Sequence, residues 1–166
     1  MKRKCILFLE SVGGAGFLPK APGTWGTIVA IPLAYALSTL NPLAYMGITL
    51  LIIGAGVVLA ELAAPYWGEM DSPHFVLDEV AGYLVTMVWL PATPITLGAA
   101  FVLFRLFDIW KPGPIGYLER RLPGGMGVVM DDVAAGILGS VILQTLYTKT
   151  AILGVHLESL PPHHGM

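Results

Sequence analysis

Charge is what this sequence has least of. Of 166 residues, 9 are basic and 11 acidic, 12% together, about half of the ~25% usual in a soluble domain. With a net charge of −2 there is no basic excess to neutralise phosphates, which argues against a nucleic-acid binder. Hydrophobic residues make up 55% and mean hydropathy is +0.75, so apolar surface is far too abundant for a disordered chain. A single cysteine, Cys5, excludes a disulfide framework and a multi-cysteine zinc site. A secretory signal is not expected either: Lys2-Arg3-Lys4 is followed by only five apolar residues, Cys5–Leu9, before Glu10 interrupts them. What remains is one domain, 1–166, that is either membrane-embedded or a soluble helical protein with an unusually apolar core.

The gaps between charges favour the membrane. No charged residue occurs over the 40 positions 21–60, the 25 positions 80–104 or the 16 positions 133–148. A surface helix of a soluble protein needs a polar outer face, and these runs offer no charge for one. Asn41-Pro42 and Pro91-Ala92-Thr93-Pro94 read as turns inside the first two runs. The pattern therefore predicts an all-α, compact bundle of about five mostly transmembrane helices, near 25–40, 43–62, 77–90, 95–107 and 131–147. Several fall short of the ~20 residues that a full span needs, so some are expected to be tilted or re-entrant.

Orientation follows from the cations. With the N-terminus inside, segments 1–24, 61–76 and 105–130 hold Lys2, Arg3, Lys4, Lys20, Arg105, Lys111, Arg120 and Arg121, which is 8 of the 9 basic residues. By the positive-inside rule these segments are cytoplasmic. The same face then collects every polar or glycine-rich cluster: Pro22 to Thr27, Asp78 to Gly82, Arg105 to Pro112, and Gly124 through Asp132. Pro112 should end the preceding helix, and Pro114 should keep it from resuming at once. His156, His163 and His164 read as a solvated tail.

Ionisable residues this close to a bilayer are functional candidates. Asp78-Glu79 and Asp131-Asp132 each precede an apolar run. Capping a positive helix end explains one acid per helix, but two in a row leave a second carboxylate for other work. With Asp108 they form a hard-oxygen set suited to Mg²⁺. Gly82, Ala135 and Gly136 follow the acid pairs at i+4, and such small residues let membrane helices approach closely enough to unite them. Arg105, Asp108 and Lys111 stand at i, i+3 and i+6. They are either a simple ion-pair ladder or the fork and point charge that a phosphate needs. Thr24 and Thr27 sit at a helix start, where anions bind well, and Gly124-Gly125-Met126-Gly127 can form a backbone nest. Together they describe a phosphate-and-metal site at a membrane surface.

The strings PGTWGT (22–27), LDEVAG (77–82), FRLFDIWKPGPI (104–115) and GGMGVVMDDVAAG (124–136) resemble the phosphatidylglycerophosphatase A family in order and spacing, over a motif-bearing core of about 13–139. The resemblance implies a Mg²⁺-dependent phosphatase of the bacterial inner membrane, multi-pass, that converts phosphatidylglycerophosphate to phosphatidylglycerol. Carried over by position, the motif acids are Asp78, Glu79, Asp108, Asp131 and Asp132, and the motif cations are Arg105 and Lys111. The roles are a reading of the residues themselves: all five acids are expected to be catalytic, with Asp78, Glu79, Asp131 and Asp132 as the Mg²⁺ ligands. Thr24, Thr27, Arg105 and Lys111 are the expected phosphoryl contacts. The DxD arrangement of haloacid-dehalogenase-type phosphatases and the SGH string of another lipid-phosphatase class are absent. Two alternatives stay open at this stage: another lipid phosphate as substrate, such as a prenyl phosphate, and a cation-binding transport protein.

Overall fold

The computed structural model describes residues 2–150, and the tail histidines His156, His163 and His164 lie outside them. Among the described residues there are seven helices: α1 (Lys2–Glu10), α2 (Pro22–Leu37), α3 (Pro42–Trp67), α4 (Leu77–Thr86), α5 (Pro94–Trp110), α6 (Gly113–Arg121) and α7 (Gly124–Lys149), with one 3₁₀ turn at Ala15–Phe17. No strand occurs among the described residues. The all-α class is as expected and the count of about five is corrected to seven. The two extra helices, α1 and α6, carry charges of their own, so charge-free runs cannot reveal them. Pro114 does not delay the restart after α5. It lies in the first turn of α6, where its missing N–H is not needed.

The helix starts follow local chemistry. At α3 the Asn41 side chain accepts from the Ala44 N–H (2.9 Å) with Pro42 as first helical residue. At α5 the Thr93 hydroxyl accepts from the Thr96 N–H (3.2 Å) ahead of Pro94. Both are the cap-plus-proline pairing expected of a helix entrance. The α7 start is different. Its cap comes from another helix: Glu61 of α3 accepts from the Gly125 N–H at 2.8 Å.

At the centre stands the ten-residue α4, enclosed by α2, α3, α5 and α7, with α7 its main partner. Val80, Ala81, Tyr83, Leu84 and Thr86 are all buried. The α4–α7 contact is backbone to backbone. A Cβ at Gly136 would run into the Gly82 carbonyl, and one at Gly82 into the Phe104 ring and the Asp132 carbonyl, so only glycine fits at the crossing. Gly139 likewise abuts Thr86, whereas Gly47 and Gly54 have open space beside them. Polar side chains among the packed helices find backbone acceptors: Tyr45 donates to the Leu84 carbonyl (2.9 Å), Tyr83 to that of Leu97 (3.0 Å) and Gln144 to that of Val88 (3.2 Å).

Two helices, α3 and α7, are long and apolar enough to cross a membrane, at 26 residues each. On α3, Leu43 and Leu51 are 80% and 73% exposed, and Leu50 and Val58 join them. Val102, Leu106 and Ile109 do the same on α5. Apolar exposure this extensive marks a surface made for an apolar neighbour.

The crossing yields the first prediction. Gly136→Ala should destabilise the protein by about 1–3 kcal/mol through overpacking, read as a lowered unfolding temperature in detergent. Gly54→Ala, which meets open space inside α3, should leave that temperature unchanged or raise it slightly, alanine being the better helix former.

Candidate active site

Because the consecutive helices α2 to α5 alternate in direction while α7 runs alongside α4, the starts of α2 and α4, the end of α5 and the N-terminal part of α7 share one end of the bundle. There they surround a cavity of about 360 Å³. Pro22 and Gly23 line it from α2, Asp78 and Glu79 from α4, Arg105 and Asp108 from α5, Lys111 from just beyond α5, and Asp131 and Asp132 from α7. All seven charged residues singled out in the sequence therefore meet in one place.

The capping explanation survives for one acid pair only. Asp78 and Glu79 occupy the first turn of α4, but α7 begins at Gly124, so Asp131 and Asp132 stand two turns inside their helix, beyond reach of its dipole end. The glycines expected to form a nest are instead that helix's first turn. This is the correction to the expected 131–147 helix, and it removes the bland reason for the second pair.

The acids separate by role. One oxygen each of Asp78, Glu79 and Asp132 lie within 4.8 Å of one another. Asp78 and Asp132 are buried, and both Glu79 Oε2 and Asp132 Oδ2 are buried without a hydrogen-bond donor. Three carboxylates packed this closely repel one another unless a cation lies among them. Acceptor-only oxygens lacking donors are what a hard divalent ion takes as ligands. Asp131 lies outside this triplet, with its Oδ2 2.6 Å from the Lys111 ammonium.

The cations are held rather than loose. The Arg105 guanidinium is 2.5 Å from Asp108 and 3.7 Å from Glu79, and its Nε is buried with no hydrogen-bond partner. Asp108 does not bridge both cations as an ion-pair ladder would. Lys111 ends α5 in the left-handed conformation (φ 44°), an uncommon state for a residue with a side chain, and its ammonium reaches Asp131 on α7.

The two threonines do not reach the cavity. Thr27 is fully buried and its hydroxyl donates to the Gly23 carbonyl (2.9 Å). Thr24, half-buried, is not among the lining residues. Helix α2 begins at Pro22, three positions before the expected start, so the backbone of Gly23 meets the site in their place. A Cβ on Gly23 would collide with the Glu79 carboxylate. Sequence reasoning also missed Asp71, Ser72, Pro73 and Phe75, which close one side of the cavity from the α3–α4 loop. Their only signal was an unremarkable Asp-Ser-Pro turn.

A carboxylate triplet beside an arginine and a lysine equips this end of the bundle for a divalent cation and a phosphate ester. Among known proteins, the family model described as phosphatidylglycerophosphatase A matches residues 8–147. The Phosphatidylglycerophosphatase A of Escherichia coli is 39% identical over 137 residues, 81% of this chain and 80% of that protein. Its Haemophilus influenzae counterpart is 34% identical over 140 residues, 82% and 86% of the two chains. A Bacteroides thetaiotaomicron protein, provisionally named a phosphatidylinositol-3-phosphatase, is 36% identical over 158 residues, 86% and 95%. No solved structure matches the chain. This chain belongs to the phosphatidylglycerophosphatase A family.

The glycine in the cavity wall can be tested directly. Gly23→Ala should displace the Glu79 carboxylate and lower phosphatase activity by about 10²-fold, the cost of a misplacement near 1 Å, with little change in unfolding temperature.

Proposed function

We propose that this chain hydrolyses the terminal phosphomonoester of phosphatidylglycerophosphate, yielding phosphatidylglycerol and phosphate, as a Mg²⁺-dependent, membrane-embedded enzyme of phospholipid synthesis. The observation that carries the reading is the triplet of Asp78, Glu79 and Asp132 oxygens within 4.8 Å of one another, in the same cavity as Arg105 and Lys111.

Asp78, Glu79 and Asp132 would hold the ion, and Mg²⁺ bound there supplies charge stabilisation and a more acidic water. Arg105 offers the phosphoryl oxygens a planar fork whose Nε has no other hydrogen-bond partner, and Lys111 offers a point charge. Asp108 and Asp131 keep these two cations aimed into the cavity through their ion pairs. With the negative phosphoryl group clamped, water attacks phosphorus and the bond to the glycerol oxygen breaks; the proton the water gives up is balanced by the one that oxygen takes up as it leaves as the hydroxyl of phosphatidylglycerol. A cavity at the end of the bundle lets the headgroup enter from water while the acyl chains lie along the exposed apolar faces of α3 and α5.

The positive-inside placement of the sequence supports a multi-pass protein in the bacterial cytoplasmic membrane, with this end and the N-terminus on the cytoplasmic side. The arrangement fits a hydrolase better than a transporter, because the charged residues gather at one end rather than along a path through the bundle.

A phosphate-release assay on the purified protein tests the proposal, with and without Mg²⁺, across phosphatidylglycerophosphate, phosphatidylinositol 3-phosphate and a prenyl phosphate. Release should require the metal and be fastest from phosphatidylglycerophosphate. Asp132→Asn should lose more than about 10²-fold in activity together with divalent-ion binding measured calorimetrically. Asp131→Asn should keep metal binding and lose phosphate affinity. Equal metal affinity in wild type and Asp132→Asn would overturn the assignment of the triplet.

A further inference from the structure

The α3–α4 loop, residues 68–76, carries one wall of the cavity and leads directly into Asp78 and Glu79. Behind it, on the side away from the cavity, lies a second buried group of polar and aromatic side chains that the proposed reaction does not use. At its centre is Glu10, the last residue of α1, which is fully buried.

Glu10 touches both ends of that loop. Its Oε1 accepts from the Trp67 indole N–H at 2.6 Å, and Trp67 is the last residue of α3. Its backbone carbonyl accepts from the Val76 N–H at 3.1 Å, and Val76 is the residue before α4 begins. One residue therefore staples the entry and exit of the loop. The middle is clamped as well. The His74 ring lies 5.1 Å from Phe17 and 4.9 Å from Trp67, centroid to centroid, and its Nδ1 is 2.9 Å from the Gly16 carbonyl. Gly16 is seated so tightly that a Cβ there would run into the His74 backbone. The chain reaches this position by a sharp reversal after Glu10, with Val12, Gly13 and Gly14 all at positive φ. Arg3 over the Tyr66 ring, 5.5 Å from its centroid, adds a hold between α1 and the end of α3.

A carboxyl group in such a place is expensive, since Glu10 Oε2 is buried with no hydrogen-bond partner. Burial pushes the Glu10 carboxyl above its ordinary range, with the Trp67 hydrogen bond and His74 pulling the other way. An apolar residue would fill the space at lower cost, but it would leave the Trp67 N–H without an acceptor and the two loop ends unjoined.

We infer that Glu10 is a positioning residue for the active site: by joining Trp67 to Val76 it sets where the loop delivers Asp71–Phe75, Asp78 and Glu79. Glu10 touches no reacting group itself. Helix α1 and the 3₁₀ turn thereby become part of the catalytic apparatus, although none of the family motifs lies in them. The kinetic consequence rests on the phosphatase reading, whereas the effect on the loop does not.

Hydrogen exchange of the whole protein in detergent, together with steady-state kinetics, tests this. In Glu10→Ala and Trp67→Phe the amides of 68–76 should exchange faster than in wild type while those of α7 do not. Their kcat should fall roughly tenfold with the lipid KM little changed. Glu10→Gln, which keeps an acceptor for Trp67, should restore both. If Glu10→Ala does not fold, Trp67→Phe and Glu10→Gln carry the test. Unchanged exchange over 68–76 in Trp67→Phe, or Glu10→Gln behaving as Trp67→Phe does, would overturn the inference. A wild-type protein that releases no phosphate from any lipid would overturn the phosphatase reading, and the exchange result would still stand or fall by itself.

Discussion

The approach of α4 to α7 without intervening side chains governs the rest of the structure. Gly82 and Gly136 remove the bulk that normally separates two helices, and the packing gain of that contact is available to membrane and soluble helices alike. Its effect on the chemistry is positional. Asp78 and Glu79 stand one turn before Gly82, and Asp132 one turn before Gly136, so the backbone contact draws the three carboxylates together. Their repulsion is the cost of the arrangement, and the cavity answers it with Arg105, Lys111 and room for a cation. Had either glycine carried a side chain, the acids would be solvated separately and the site would lose its charge density.

Much of this was legible before any coordinates, and the reason is chemical economy. In so apolar a chain each charge stands out, and the seven that fall in the motifs all line the cavity. The turns at Asn41-Pro42 and Thr93-Pro94 were readable because cap and proline signals are local. The small residues one turn after the acid pairs pointed to the helix crossing. What escaped was anything set by contact between distant segments. Glu61 caps α7 across 64 positions, so nothing near Gly124 announces that the helix starts there, and Asp131-Asp132 looked like a helix entrance. Thr27 looked like an anion contact, whereas its hydroxyl is engaged within its own helix. Helices α1 and α6 were hidden by their charges.

The ion pairs show how one acidic residue can serve two ends. Asp108 and Asp131 resemble the triplet acids in sequence, but each is matched to a cation. Arg105 is shared, at 2.5 Å from Asp108 and 3.7 Å from Glu79 of the triplet, and an unpaired arginine so little exposed would be costly to bury. One of these pairs is made by a residue in the left-handed conformation, Lys111, a backbone state that side chains seldom adopt. The site is thus far from neutral: Asp78, Glu79, Asp108, Asp131 and Asp132, with Asp71 beside them, face only Arg105 and Lys111, so the cavity keeps an excess of fixed negative charge.

The shortness of α4 has a consequence for traffic. Ten residues of helix span about 15 Å, half of a ~30 Å hydrocarbon layer, and beyond the acids the way is filled by Tyr83, Leu84, Phe104 and Leu143, all without solvent exposure. The cavity therefore has a closed apolar floor: whatever reaches the carboxylates and cations comes from the charged end of the bundle rather than through its core. The apolar plug beneath them confines this concentrated charge to one end of the bundle.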